Sequence, residues 1–235
     1  MKLKVIITGS TGMIGKGVLF ECLGSRLVDS VLVINRKSLG INHPKLKEII
    51  HQDFFELSAL RPELAGYDAC FFCLGVSSAG MSEKDYHHIT YDLTLNFAVT
   101  VKELNPGITF CYISGAGTDS TGQGRSMWAR VKGKTENALL ALGFRDAYML
   151  RPGFIRPVRG IRSSTALYNI LYVIMSPLFP LIMHFPKFAT SSETLSKAMI
   201  FAASDGYGSK VMESEDINEF VKIKEKGDAQ KLDID

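Results

Sequence analysis

Residues Thr8 to Gly17 read TGSTGMIGKG and follow directly on the apolar run LKVII at 3–7. Glycine costs conformational entropy, so glycine at 9, 12 and 15 points to a place where a side chain would collide with something or where φ turns positive. LKVII has the β-branched pattern of a strand. MIGKGVLFECLG has helical spacing, with Ile14, Val18, Leu19 and Cys22 or Leu23 along one face. The glycines therefore sit on a strand-to-helix turn. In that setting Gly9 permits the tight turn, Gly12 lets the backbone approach a pyrophosphate, and Gly15 lets the helix pack closely on the strand. The helix N-terminus offers free N–H groups and a partial positive charge to the phosphates. The competing reading is a plain glycine-rich turn.

The next strand, SVLVIN, runs into Asn35-Arg36-Lys37, at the distance where dinucleotide folds place the residue that reads the adenosine ribose. A carboxylate there would bond the ribose 2′-hydroxyl and repel a 2′-phosphate, whereas Arg36 with Lys37 can pair with that phosphate. NADP(H) is expected over NAD(H). The alternative is that both cations merely solvate a strand end.

With 235 residues, 46% of them hydrophobic and 22% charged, the chain can bury one large core without a second domain. A net charge of +3, with no stripe of basic and aromatic residues, argues against nucleic acid as a partner. Cys22, Cys70, Cys73 and Cys111 fall in apolar periodic segments and read as small core residues, in keeping with a reducing cytoplasm. Cys70 and Cys73 are three apart in a strand, so they point to opposite faces and do not share a metal. MKLKVII enters the first strand at once, which leaves no room for a signal peptide.

Strand-like runs recur at LKVIIT, SVLVIN, KEIIHQ, ACFFCL, ITFCYIS and AYMLRP, most of them separated by helix-length segments. The expected fold class is α/β, a doubly wound parallel sheet with helices on both faces. Long helices are read in EKDYHHITYDLTLNFAVTVKEL, ended by Asn105-Pro106-Gly107, and in RSMWARVKGKTENALLALG, ended by Gly143. Between strand five and the second helix, GAGTDSTGQG reads as a mobile loop at the carboxyl edge of the sheet. One domain is expected over 1–220, including a helical cover at about 154–190, with a charged, frayed tail over 221–235. TSSETLSKAMIFAAS is read as a helix capped by Ser191 or Ser192, with Leu195, Met199 and Ile200 or Phe201 inward, followed by the short run KVMES.

In order, TGSTGMIG, INRK, QDFFEL, CLGV, YISGAG, VKGKTE and LRPGFIRP make the chain resemble the atypical, extended short-chain dehydrogenase/reductases, close to the small Tat-interacting oxidoreductase and NmrA-like branch. The resemblance runs from Met1 to about Ile217 and implies a Rossmann fold. It implies a cofactor-binding turn of Gly9, Ser10, Thr11, Gly12, Met13, Ile14 and Gly15. It also implies adenine contact by Asp53, backbone lining by Cys73, Leu74 and Gly75, and a turn of Arg151, Pro152 and Gly153 beside the nicotinamide. Chemistry in that family rests on a tyrosine four residues before a lysine, with a serine ending the fifth strand. The spacing puts ammonium beside phenol on one helix face and lowers the phenol's pKa for proton exchange. Lys132 matches the lysine and Ser114 the serine, but four before Lys132 stands Trp128, whose indole has no ionisation near neutral pH.

The usual acid is therefore missing. Either another group supplies the proton, with Ser114 through a water, Tyr91, His88 or Tyr112 as candidates, or the chain is a catalytically weak NADP(H)-sensing regulator. The first reading is an oxidoreductase or epimerase-like enzyme on a small carbonyl or alcohol. From Ala166 to Phe185 the run ALYNILYVIMSPLFPLIMHF is long enough to span a bilayer, but Pro177, Pro180, Asn169 and His184 argue against a span. It is read as a helical cover over a lipophilic substrate with an anionic group, met by Arg156, Arg159 and Arg162; a peripheral membrane contact is the alternative. The resemblance further implies pairing of two copies through the two long helices.

Overall fold

The structure, a computed structural model, describes residues 2–157 and 185–232. Seven strands form one sheet: β1 (Leu3–Thr8), β2 (Val28–Asn35), β3 (Leu46–Ile50), β4 (Ala69–Phe72), β5 (Thr109–Ile113), β6 (Asp146–Arg151) and β9 (Val211–Glu213). Their order is β3-β2-β1-β4-β5-β6-β9, and every neighbouring pair is parallel. Parallel strands need crossovers, and the helices that make them cover both faces. The central strands are therefore continuous apolar runs rather than alternating ones. In β1, Val5 and Ile7 join one core with Val18, Leu19, Leu195 and Met199. Ile6 joins the other, with Leu32, Phe97 and Phe110.

Helix α1 (Met13–Gly24) leaves β1 through the glycine turn and buries Val18, Leu19, Cys22 and Leu23. The segment read as one helix over 83–104 is α2 (Glu83–His87), a π turn (His88–Asp92) and α3 (Leu93–Leu104). The wider turn brings Asp92 against two side chains at once, 3.4 Å from His87 Nδ1 and 3.0 Å from His88 Nδ1. Helix α4 (Met127–Ala141) follows the fifth strand, and α5 (Ser192–Asp205) is capped by the Ser191 hydroxyl accepting from Thr194 N. Cys70 and Cys73 pack in opposite cores, and all four cysteines are free thiols.

Two expectations give way to geometry. The end read as a frayed tail continues helix α6 (Ser214–Leu232), which starts on Glu215 and Asp216 and anchors Ile217, Phe220 and Val221 in the core. The loop read as mobile is tied down: Asp119 accepts from Thr121 N and Thr121 Oγ1, Ser120 O accepts from Asn137 Nδ2, and Gly124 O accepts from Arg130. The cover expected at about 154–190 falls largely on residues outside the described ones, as do Arg159 and Arg162. Its described flanks, β7 (Phe154–Arg156) and β8 (Ala189–Ser191), form a two-stranded parallel sheet. No helix among the described residues is long and apolar enough to cross a membrane.

Candidate functional site

At the carboxyl end of β1, Gly9 has φ +70°, and a Cβ there would lie 2.6 Å from the Cys73 carbonyl oxygen. Gly15 has the tighter contact, since a Cβ would sit 2.2 Å from Gly9 O. These two glycines let β1, the start of α1 and the end of β4 close on one another. Gly12 differs from both: an added Cβ would meet only Gly9 O, at 3.3 Å, with space beyond. Gly12 is also the N-cap of α1, with no side chain capping the helix and no carboxylate in its first turn. The turn thus presents unoccupied N–H groups and a helix dipole to an open face, the arrangement that receives a phosphate.

Beside it lies a cavity of about 330 Å³, running from Arg36 and Asp53 past Leu74 and Gly75 to Tyr112 and Lys132. Arg36 is exposed on its wall and makes no ion pair with any described residue, while its carbonyl accepts from Gln52 Nε2. Asp53 accepts from Phe55 N at 2.9 Å, which fixes the turn after β3. Ile89, Thr90 and Leu93, delivered by the π turn and the start of α3, form the opposite wall. Phe55 reaches across to stack on His88 at 4.5 Å.

The remaining candidates divide. Ser10 is buried and donates to Asn35 Oδ1 at 2.8 Å, and Asn35 Nδ2 donates to Glu48 at 2.9 Å. Burial pushes the Glu48 carboxyl up, but hydrogen bonds from Ser38, Asn35 and Leu39 N prevail and hold it below the usual range. Ser10 thus braces the strand ends with its side chain. Thr11 and Lys37 are exposed and Met13 and Ile14 half-buried; none of the four lines the cavity. Arg151 is committed elsewhere: its guanidinium grips Glu136, which is 1% exposed, and reaches Glu213 at 3.4 Å. The Glu136 carboxylate holds the Arg151 guanidinium above its ordinary value. Pro152 O receives Ala116 N at 2.9 Å, and a Cβ on Gly153 would lie 2.3 Å from Phe188 O. The Arg-Pro-Gly turn is built by these contacts with the chain itself.

Ser114 is buried, with its hydroxyl on Leu150 O at 3.2 Å, and Trp128 packs by Gly117, 3.7 Å from where that residue's Cβ would stand. Neither lines the cavity, so the three residues read as catalytic are not gathered in it. Lys132 does line it, donating to Ile113 O at 3.1 Å and lying 5.6 Å from the centre of the Tyr112 ring. Burial drives its ammonium down to about 8, only partly opposed by Glu136. Of the other proposed proton donors, His88 pairs with Asp92 and Tyr91 stacks on His87, both outside the cavity lining. Tyr112 lines the cavity, but burial raises its phenol far above the usual range.

Gly133 is a position that the sequence does not single out. A Cβ there would come 1.8 Å from Asp119 O, so the loop after β5 lies directly on α4 because residue 133 has no side chain. Its place one residue after Lys132, on the face between Ala129 and Glu136, was the available signal.

No family model matches the chain. It is 23% identical to "Protein FMP52, mitochondrial" of Meyerozyma guilliermondii over 206 residues, 86% of this chain and 85% of that protein. It is 28% identical to "Protein HTATIP2" of Rattus norvegicus over 153 residues, 64% of this chain and 62% of the rat protein, so less than two thirds of that relative is spanned. Among solved structures, a UDP-N-acetylglucosamine 4-epimerase from Methanobrevibacter ruminantium superposes with a TM-score of 0.68 at 19% identity, over 90% of this chain and 76% of that one. The Bordetella bronchiseptica enzyme WbmF in complex with NAD+ gives 0.64 at 15% identity, over 94% and 77%. Sheet order and these likenesses show a Rossmann-like fold with the glycine turn at the end of its first strand. In sequence the chain is similar to the FMP52 and HTATIP2 proteins.

Proposed function

We propose that this chain binds NADP(H), in preference to NAD(H), across the glycine turn and the adjoining cavity, and uses it in oxidation or reduction of a small carbonyl or alcohol. The observation that carries the reading is the uncapped N-terminus of α1 at Gly12, open to space, in a turn whose Gly9 packs on Cys73 and Leu74, next to a cavity lined by Leu74, Arg36 and Lys132. In this reading the backbone of Gly12 to Gly15 receives the pyrophosphate, Asp53 and Leu74 border the adenine, Arg36 takes the 2′-phosphate, and Lys132 meets the inner ribose. A cytoplasmic setting remains part of the proposal, against FMP52 relatives whose names carry the word mitochondrial. Arg36→Ala tests the preference: loss of one charge-assisted pair should weaken NADPH about 10- to 100-fold and leave NADH within about threefold. Equal losses for both would remove Arg36 from the 2′-phosphate.

A second reading is supported by Trp128 in place of an acid and by the Ser114 hydroxyl turned onto Leu150 O. On that reading the chain binds NADP(H) without turnover and acts through protein contacts. Tight NADPH binding with no reduction of any carbonyl would favour it.

A further inference from the structure

If hydride transfer occurs at this site, a proton must reach the substrate oxygen, and the described residues narrow its source. The cavity wall carries five ionisable side chains: Arg36 and Asp53 at the outer end, and Tyr86, Tyr112 and Lys132 toward β5 and α4. Arg36 stands exposed at the end assigned to the 2′-phosphate, away from β5 and α4. Asp53 is held on the Phe55 backbone at the end assigned to adenine. Burial raises both phenols, that of Tyr112 far above the usual range, which makes them poor donors. Ser114, Trp128, His88 and Tyr91 lie outside the lining.

Lys132 has the required geometry. Its ammonium carries three hydrogens, of which one donates to Ile113 O at 3.1 Å; the Tyr112 ring lies 5.6 Å away, and Lys132 is part of the cavity lining. Charged and titratable groups around it are Glu136 on its own helix, already committed to Arg151, Tyr112 on β5 and Tyr86 on α2. No carboxylate among the described residues forms an ion pair with it, and burial loosens its hold on the proton.

We propose that the Lys132 ammonium is the proton donor of the reaction, standing in for the absent tyrosine. This rests on the reading of the site as a dinucleotide oxidoreductase. With a reduced nicotinamide dinucleotide held in the site, a hydride, one hydrogen with two electrons, would be available to the carbonyl carbon. On this chain's side one N–H bond of Lys132 breaks, one O–H bond forms on the substrate oxygen, and the neutral amine takes its proton back from water. In the direction of alcohol oxidation, the neutral amine is the base.

The test combines a readout on the protein alone with turnover. Acetic anhydride labelling of the full chain, followed residue by residue by mass spectrometry between pH 6 and 11, should give a midpoint near 8 for Lys132. Reduction of 9,10-phenanthrenequinone at saturating NADPH should show kcat level below pH 8 and falling about tenfold per pH unit above it. Lys132→Arg keeps a positive charge for the cofactor but cannot donate, so it should bind NADPH within about fivefold of wild type by calorimetry and lose about 100-fold in kcat. A labelling midpoint above 10, a kcat flat to pH 10, a Lys132→Arg protein with near-normal kcat, or NADPH binding without turnover each overturns the assignment. Absence of NADPH binding by wild type instead removes the oxidoreductase reading beneath it.

Discussion

Replacing Lys132 by methionine should make the protein more stable at neutral pH, and the excess should vanish in base. Methionine keeps most of the length of the side chain and removes a buried ammonium that lies by the Tyr112 ring and Ile113 O. The amine falls from the ordinary 10.5 to about 8 in the folded protein, a difference worth about 3 kcal/mol at 1.36 kcal/mol per tenfold. Below pH 8 the folded and unfolded chains both hold the proton, so the native state bears the whole penalty. Between 8 and 10.5 only the unfolded chain holds it, and wild-type stability climbs; above 10.5 the penalty is gone. Water in the cavity screens part of the charge, and methionine leaves Ile113 O without its donor, a constant cost of about 1 kcal/mol. The net gain at pH 7 is therefore about 1–2 kcal/mol, and the difference between the two proteins should shrink by about 2–3 kcal/mol on going to pH 10.5. Urea denaturation of both proteins at pH 7, 8.5 and 10 measures this directly. A stability difference that does not change with pH would refute the placement of a desolvated ammonium at Lys132.

Gly133→Ala should cost about 2–4 kcal/mol and expose the loop after β5 to proteolysis, because a methyl 1.8 Å from Asp119 O cannot be accommodated while loop and helix stay in place; a thermal melt with limited proteolysis checks both effects. Glu136→Gln removes the buried partner of Arg151 and should destabilise by about 2–3 kcal/mol at pH 7, with Glu213 at 3.4 Å retaining part of the pairing. Urea denaturation of the two proteins at pH 7 measures that loss.

The sheet was legible in the sequence because each strand is a short apolar run bounded by turn residues, and parallel strands buried on both faces leave that mark. LKVIIT, SVLVIN, KEIIHQ, ACFFCL, ITFCYIS, AYMLRP and KVMES all fall on strands of the sheet. Gly9 and Gly15 were legible for the same reason that they are needed, since their spacing is set by a turn in which backbone meets backbone. The catalytic reading was carried by the family resemblance, and a matched position does not fix where a side chain points. Ser114 ends the fifth strand as expected, yet its hydroxyl bonds Leu150 O. Arg151 lies in the expected turn, but Glu136, fifteen residues away on α4, claims its guanidinium. The tether of the 115–126 loop depends on Asp119 bonding back to its own loop backbone and on a missing Cβ at 133, which composition could not reveal. The π turn brings one acid against two histidines, and a helical pattern gives no sign of that.

The central claim is that the turn at Thr8 to Gly17 holds a dinucleotide, and Gly12→Val tests it most directly. Position 12 has ordinary φ −79° and ψ 165°, and an added Cβ meets only Gly9 O at 3.3 Å, so the variant should fold with a Tm within a few degrees of wild type. Its side chain would occupy the space in front of the N-terminus of α1. Calorimetric titration of both proteins with NADPH should show binding to wild type and at least a 100-fold loss in the folded variant, about 3 kcal/mol. Equal affinity in the two proteins, or no binding to wild type, would contradict the account.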